Sequence, residues 1–229
     1  MAIWRGLAAP GVEALTRGRF ITLEGGEGAG KSVQARRLAA RLTALGLETV
    51  ATREPGGTPQ AEALRELILS GALREGGPAA EAIAFSAARL DHLDALIGPA
   101  LARGAWVVCD RFADSTRAYQ GAAGRLSLGL IDRLEQIVVG ERRPDLTLLL
   151  DIAPELGLAR AAARRGAAAG ADRFEGEALD FHRTLGEAFR AIASADPERC
   201  VVIDASADEA NVAQAVWAAV EARLGGYLP

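Results

Sequence analysis

Hydrophobic positions along the chain come in two arrangements. Five short runs, at 19–24, 48–52, 106–110, 146–151 and 200–204, consist mostly of aliphatic and β-branched residues. Runs of that length without polar alternation fit strands buried on both faces. Between them lie stretches rich in Ala, Leu, Arg and Glu with helical spacing, at 32–45, 59–70, 79–101, 128–139, 154–165, 178–195 and 208–224. Strands that alternate with helices imply a parallel sheet covered on both faces. The pattern therefore predicts an α/β protein with three layers, helix, sheet and helix, around a five-stranded parallel sheet.

No apolar run approaches the roughly 18 to 20 residues of a membrane span, and no repeat or linker divides the chain. One domain is expected over 19–229. Residues 1–18 contain Trp4, Arg5, Pro10 and Gly11 without a continuous apolar core, so they do not read as a secretory signal and carry no assigned function. The Ala/Gly-rich run 166–171 departs from its surroundings and reads as a mobile loop or lid, with a lid expected at about 160–175.

Composition narrows the function classes. With 229 residues, half of them hydrophobic and 24% charged, the chain can bury a large core and is not a disordered polymer. Its 26 Lys+Arg against 30 Asp+Glu give a net charge of −4, which removes the signature of a general nucleic-acid binder. Cys109 and Cys200 both fall in strand runs and read as buried thiols of a cytoplasmic protein. Neither a membrane nor a nucleic-acid partner is expected.

The strongest chemical signal follows the first run. Gly25-Gly26-Glu27-Gly28-Ala29-Gly30-Lys31-Ser32 matches the phosphate-loop pattern G-x-x-x-x-G-K-[ST] between a strand and a helix. Its glycines let the backbone curl so that successive N–H groups point at phosphate oxygens, and the positive end of the helix adds to their field. Lys31 is placed for the β- and γ-phosphates and the Ser32 hydroxyl for Mg²⁺. A nucleoside triphosphate site follows, but no particular reaction, because GTPases, motor ATPases and small-molecule kinases share this loop.

Three more clusters fall where such a fold gathers the ends of its strands. Thr52-Arg53-Glu54-Pro55-Gly56-Gly57-Thr58 is a fixed turn in which Arg53 offers a planar fork to a phosphate, or is merely solvated. Asp110-Arg111-Phe112 ends the third run. There Asp110 is placed to hold Mg²⁺ and Arg111 an anionic substrate, unless the two form a plain ion pair. Phe85 and Arg89 are four apart, on one helix face, and together suit a base, although Phe85 alone also suits a core. His92 and His182 lie in helical stretches and read as structural.

Taken in order, these motifs resemble the thymidylate kinase family of nucleoside-monophosphate kinases. The resemblance runs from about 19 to 224 on Glu-Gly-Gly-Glu-Gly-Ala-Gly-Lys-Ser, Arg-Glu-Pro-Gly-Gly-Thr, Phe-Ser-Ala-Ala-Arg, Asp-Arg-Phe and Ser-Thr-Arg-Ala-Tyr-Gln-Gly. It implies transfer of the γ-phosphoryl group of ATP to dTMP, giving dTDP and ADP with Mg²⁺, in a homodimer. By the same resemblance residues 25–32 would bind ATP, and Glu27 would accept a hydrogen bond from the deoxyribose 3′-hydroxyl. Arg53 and Arg111 would clamp the acceptor phosphate. Phe85 would stack on thymine, Arg89 would bond a base carbonyl, Thr116 and Gln120 would border the base, and Ser115 would also bind the substrate. Tyr119 would crowd the 2′ position, and Asp110 would position metal and acceptor.

The family supplies the cation that meets the transferring group in one of two ways. Where one arrangement has a basic residue in the phosphate loop this chain has Gly28, so it resembles the bacterial arrangement with lid arginines. The candidates are Arg160, Arg164 and Arg165, with Arg173 as the lid's far anchor on ATP. Asp204-Ala205-Ser206 resembles the segment that borders adenine. Phe112 departs from the usual Tyr or His, and the lid run is unusually rich in Ala and Gly. Two other readings stay open on sequence: a different or broad-specificity nucleoside-monophosphate kinase, and a nucleotide-hydrolysing switch, which would not need the acceptor-side arginines.

Overall fold

The structure is a computed structural model that describes residues 17–165 and 174–229. The expectations for the N-terminal extension up to residue 16, for the lid run 166–171 and for Arg173 lie outside the described residues, as does the Arg165 side chain.

Strands β1 (Phe20–Glu24), β2 (Thr49–Arg53), β3 (Trp106–Asp110), β4 (Leu146–Asp151) and β5 (Cys200–Asp204) form one sheet in the order β2-β3-β1-β4-β5. Every pairing is parallel, as expected. The connection leaving β1 goes to one side of the sheet and that leaving β3 to the other. A crevice opens between them at the carboxyl ends of these two central strands, the usual ligand position in such sheets.

Side chains alternate across the strands and divide the core into two layers. Ile21, Leu23, Trp106, Val108, Leu146 and Leu148 pack beneath helices α1 (Lys31–Ala44) and α9 (Glu209–Leu224). Phe20, Val107 and Cys109 face the other way, against Leu93, Ile97 and Phe112. Both cysteines are buried free thiols. Helices α2 (Pro59–Leu69), α3 (Gly77–His92), α6 (Leu128–Val138), α7 (Pro154–Arg165) and α8 (Leu179–Ala195) complete the outer layers.

Two stretches differ from the sequence pattern. The single helix expected over 79–101 is α3, a π-helical segment Leu93–Ile97 and α4 (Gly98–Ala102) in succession. Pro99 offers no N–H to the preceding turn, and the bonding widens there. A helical segment that the pattern did not predict, α5 (Ala113–Thr116) with the π-helical run Arg117–Ala123, follows β3. Its Asp, Ser, Thr and Gly residues have low helix propensity, and burial of Ala113, Thr116, Ala118 and Tyr119 imposes the helix.

Candidate active site

The crevice holds a cleft that gathers nearly all of the candidate residues. Glu27, Gly28, Gly30, Lys31 and Ser32 enter from the phosphate loop, Arg53 from the end of β2, and Asp110 and Arg111 from the end of β3. Phe85 and Arg89 come from α3, and Ser115, Thr116, Tyr119 and Gln120 from the segment that follows β3. Gly25 and Gly26 border a separate cavity on the far face of the loop, beside Asp151 and His182, and Ala29 is buried in the core.

Strand alternation decides who meets whom. Asp110 shares a face with Trp106 and Val108, toward α1, and there Ser32 Oγ donates to Asp110 Oδ2. The other oxygen, Oδ1, is buried without a protein partner. Lys31 Nζ donates to Gly26 O at 2.6 Å. Burial and the nearby Arg111 lower Lys31 to about 8, against the pull of Glu27 and Asp110.

Arg111 and Glu27 form an ion pair in the cleft. Arg111 Nη2 donates to Glu27 Oε1 at 2.7 Å, and Nη1 reaches Gly25 O at 3.1 Å and Ser115 Oγ at 3.3 Å. Tyr119 Oη donates to the same Glu27 oxygen at 2.5 Å. Burial would raise the Glu27 carboxyl, but Arg111 and Lys31 outweigh it and hold it down at about 2. Burial works against the Arg111 charge too, and Tyr119, Glu27, Asp110 and Glu24 hold it protonated. Arg111 adopts φ 71°, left-handed for a residue with a side chain, so the turn around it is strained.

Arg89 is buried, its Nε on Glu54 Oε2 at 2.7 Å and its Nη2 on Phe112 O and Thr116 Oγ1, both at 3.1 Å. His92 joins the same carboxylate at 3.2 Å and Thr52 at 2.8 Å, a structural role as expected. Arg53 is held at the rim, Nη2 at 3.0 Å from both oxygens of Glu62. Phe85 lies 6.3 Å from Phe174, which packs edge-on against Tyr119 at 5.2 Å, so an aromatic wall closes one side of the cleft. Phe112 is buried edge-on against Phe20 at 4.9 Å, where a hydroxyl or imidazole would face a hydrocarbon ring.

The arginines of α7 separate. Arg164 borders the cleft, 3.6 Å from Glu175. Arg160 turns instead to the segment after β5, donating to Ala205 O at 2.7 Å and Ser206 O at 2.8 Å. A Cβ on Gly28, whose φ is +68°, would lie 1.8 Å from Gly157 O of α7. A Cβ on Gly157 would in turn lie 2.3 Å from Glu27 O. The phosphate loop and α7 thus touch backbone to backbone.

Sequence reasoning did not single out Arg65, Leu69, Glu54, Pro55, Phe174 or Glu175 as lining residues. Arg65 and Leu69 are four apart in α2, directly after the Arg53 turn, and that spacing was the available signal. Phe174 and Glu175 approach only through the return of the chain toward α8, which leaves no local trace.

A family model described as thymidylate kinase matches residues 23–216. The chain is 60% identical over 209 residues to a thymidylate kinase of Rhodopseudomonas palustris, covering 91% of this chain and 90% of that one. It is 56% identical over 208 residues to a thymidylate kinase of Bradyrhizobium diazoefficiens, covering 91% of each. The crystal structure of thymidylate kinase from Ehrlichia chaffeensis superposes with a TM-score of 0.72 at 30% identity, over 89% of this chain and 99% of that chain.

Proposed function

The chain belongs to the thymidylate kinase family and phosphorylates dTMP to dTDP with ATP, and from that premise we propose which of its residues do the work. The observation that carries the proposal is the convergence of Lys31 and Ser32 from the phosphate loop with Asp110 and Arg111 from the end of β3 on one cleft. Phosphoryl transfer has a loose transition state with charge spread over equatorial oxygens, so alignment and fixed positive charge supply most of the acceleration. The acceptor phosphate is already an anion near neutral pH, and no general base is required.

In this reading the phosphate-loop N–H groups and Lys31 bind the β- and γ-phosphates of ATP. Arg53 and Arg111 align the acceptor phosphate, Phe85 stacks on thymine, Arg89 bonds the base, and Thr116 and Gln120 border it. Glu27, held ionised between Arg111 and Tyr119, is set to accept from the 3′-hydroxyl, with Tyr119 beside the 2′ position. Asp110 and Ser32 would hold Mg²⁺. The buried, unpartnered Asp110 Oδ1 fits a cation there, and a phosphate-bound Mg²⁺ needs only one or two protein ligands. When bound, the ion would neutralise negative charge on the phosphates.

The lid-arginine arrangement is supported by the contact of Gly28 with Gly157, which leaves no room for a basic side chain inside the loop. Arg164 at the cleft is the first candidate, with Arg165 next to it. Closure of the segment at about 160–175 excludes water, the competing acceptor. The domain limits expected from sequence, 19–229 with this lid, are kept in the same reading. A homodimer is supported by two exposed apolar pairs, each seven residues apart on one helix face: Ile83 and Leu90 of α3, and Leu130 and Ile137 of α6. Among the described residues no helix is long and apolar enough to cross a membrane. The two free thiols suit the expected cytoplasmic setting.

The test is ADP release from ATP and Mg²⁺ with dTMP, dUMP, TMP, dCMP and GMP, beside a no-acceptor control, Lys31→Ala and the pair Arg164→Ala with Arg165→Ala. We expect dTMP to be fastest, Lys31→Ala to lose activity at least about a hundredfold, and the lid pair to lose kcat by a comparable factor. Discrimination against dUMP rests on one methyl group, about 1 to 3 kcal/mol, so measurable dUMP turnover is expected. Equal ADP release without acceptor would overturn the acceptor-side assignments, and an unchanged kcat in the lid pair would overturn the lid arginines.

A further inference from the structure

Glu24, the last residue of β1, is a carboxylate buried at 1% exposure, on the opposite sheet face from Ser32 and Asp110. Its Oε1 accepts from the N–H groups of Phe112 at 2.7 Å and Ser115 at 3.3 Å, at the start of α5. Its Oε2 accepts from the Ser115 hydroxyl at 2.6 Å. That same hydroxyl oxygen accepts from Arg111 Nη1 at 3.3 Å. Burial and the nearby Asp114 raise this carboxyl to about 7, while its bonds to Ser115 and Phe112 and the charge of Arg111 pull it down.

We infer that Glu24 is a positioning residue for Arg111, fixing its strained backbone through Phe112 and its guanidinium through the Ser115 hydroxyl. Two features carry this. Arg111 sits in the left-handed region, which persists only where its surroundings over-determine it, and Glu24 holds the N–H of the very next residue. Arg111 N itself donates to Leu23 O at 2.9 Å, so residues 23 and 24 grip the turn from both sides. Because Glu24 also precedes Gly25, one residue joins the rigid end of the donor-side loop to the acceptor-side arginine. Holding the arginine from that strand end keeps donor and acceptor phosphates in line. The inference rests on the reading of Arg111 as a clamp on the dTMP phosphate.

The experiment compares Glu24→Gln, Ser115→Ala, the double variant and Arg111→Ala for KM of dTMP, KM of ATP, kcat and thermal midpoint. In Glu24→Gln an amide N–H faces Ser115, so the hydroxyl loses the carboxylate that anchors its hydrogen, and two donors, the amide and Arg111, compete for its oxygen. The expected result is kcat/KM for dTMP down about tenfold or more, with KM for ATP within about twofold. The double variant is expected to be little worse than Glu24→Gln alone, since the two residues act through one bond. If Glu24→Gln does not fold, Ser115→Ala carries the test, with an expected rise in KM for dTMP of about threefold or more. An unchanged dTMP dependence in folded Glu24→Gln or Ser115→Ala overturns the inference, as does an equal loss for both substrates tracking thermal midpoint. Should Arg111→Ala leave dTMP binding intact, the clamp reading itself fails.

Discussion

At the scale of single residues, the chemistry depends on charges held in states that water would not give them. Lys31 is the clearest case, because burial and Arg111 lower its ammonium to about 8. A lysine with a lowered pKa carries its charge only below that value, so phosphate binding by the free enzyme weakens as pH rises through about 8. The expected pH profile of kcat/KM for ATP therefore has a descending limb near 8, while bound phosphates stabilise the ammonium and move the limb of kcat upward. A kcat/KM profile flat beyond pH 9.5 would show that Lys31 keeps its proton in the free enzyme. The identity of these residues was legible in the sequence, since Gly-Lys-Ser after a strand and Asp-Arg at a strand end name them. Their partners were not, because Glu27 with Arg111 and Glu54 with Arg89 are 84 and 35 residues apart.

At the scale of elements, the contact that governs the site is that of α7 on the phosphate loop. Gly157 looks like an unfavourable residue in a helix, costing about 1 kcal/mol against Ala. A methyl there would meet Glu27 O at 2.3 Å, a backbone atom that cannot step aside. Gly157→Ala is therefore expected to destabilise the protein by about 1 to 3 kcal/mol, despite the gain in helix propensity, and to raise KM for ATP. Thermal unfolding reads the first effect as a lower midpoint, by a few degrees per kcal/mol. A higher midpoint would mean that α7 moves freely and the contact is loose. The strands and long helices were legible because each carries its own period, whereas α5 and the π-helical run after it were not. Their Asp, Ser, Thr and Gly residues are driven into a helix by what they bury rather than by what they prefer.

At the scale of the whole molecule, the face shared by α3 and α6 exposes apolar side chains that solvent would not favour. Ile137 is 77% exposed and Ile83 57%, on helices that pack side by side. If that face meets a second copy, Ile83→Glu with Ile137→Glu places charges in an apolar interface and yields a monomer with the fold intact. Light scattering beside circular dichroism checks both parts. A wild-type chain that scatters as a monomer at micromolar concentration would remove the dimer from the proposal.

The sequence alone determined the architecture and the chemistry class. Five apolar runs alternating with amphipathic helices admit few solutions other than a covered parallel sheet, the phosphate loop names a nucleoside triphosphate site, and the ordered set of motifs resembles a nucleotide kinase family. These signals are local, each written within a few consecutive residues. Only the tertiary structure decided that Arg160 serves the Ala205–Ser206 carbonyls rather than the cleft, that Gly28 is closed off by Gly157, and that Glu24 reaches Ser115. Each is a contact between elements far apart in the chain, set by which face of a strand or helix a side chain occupies once the sheet order is fixed.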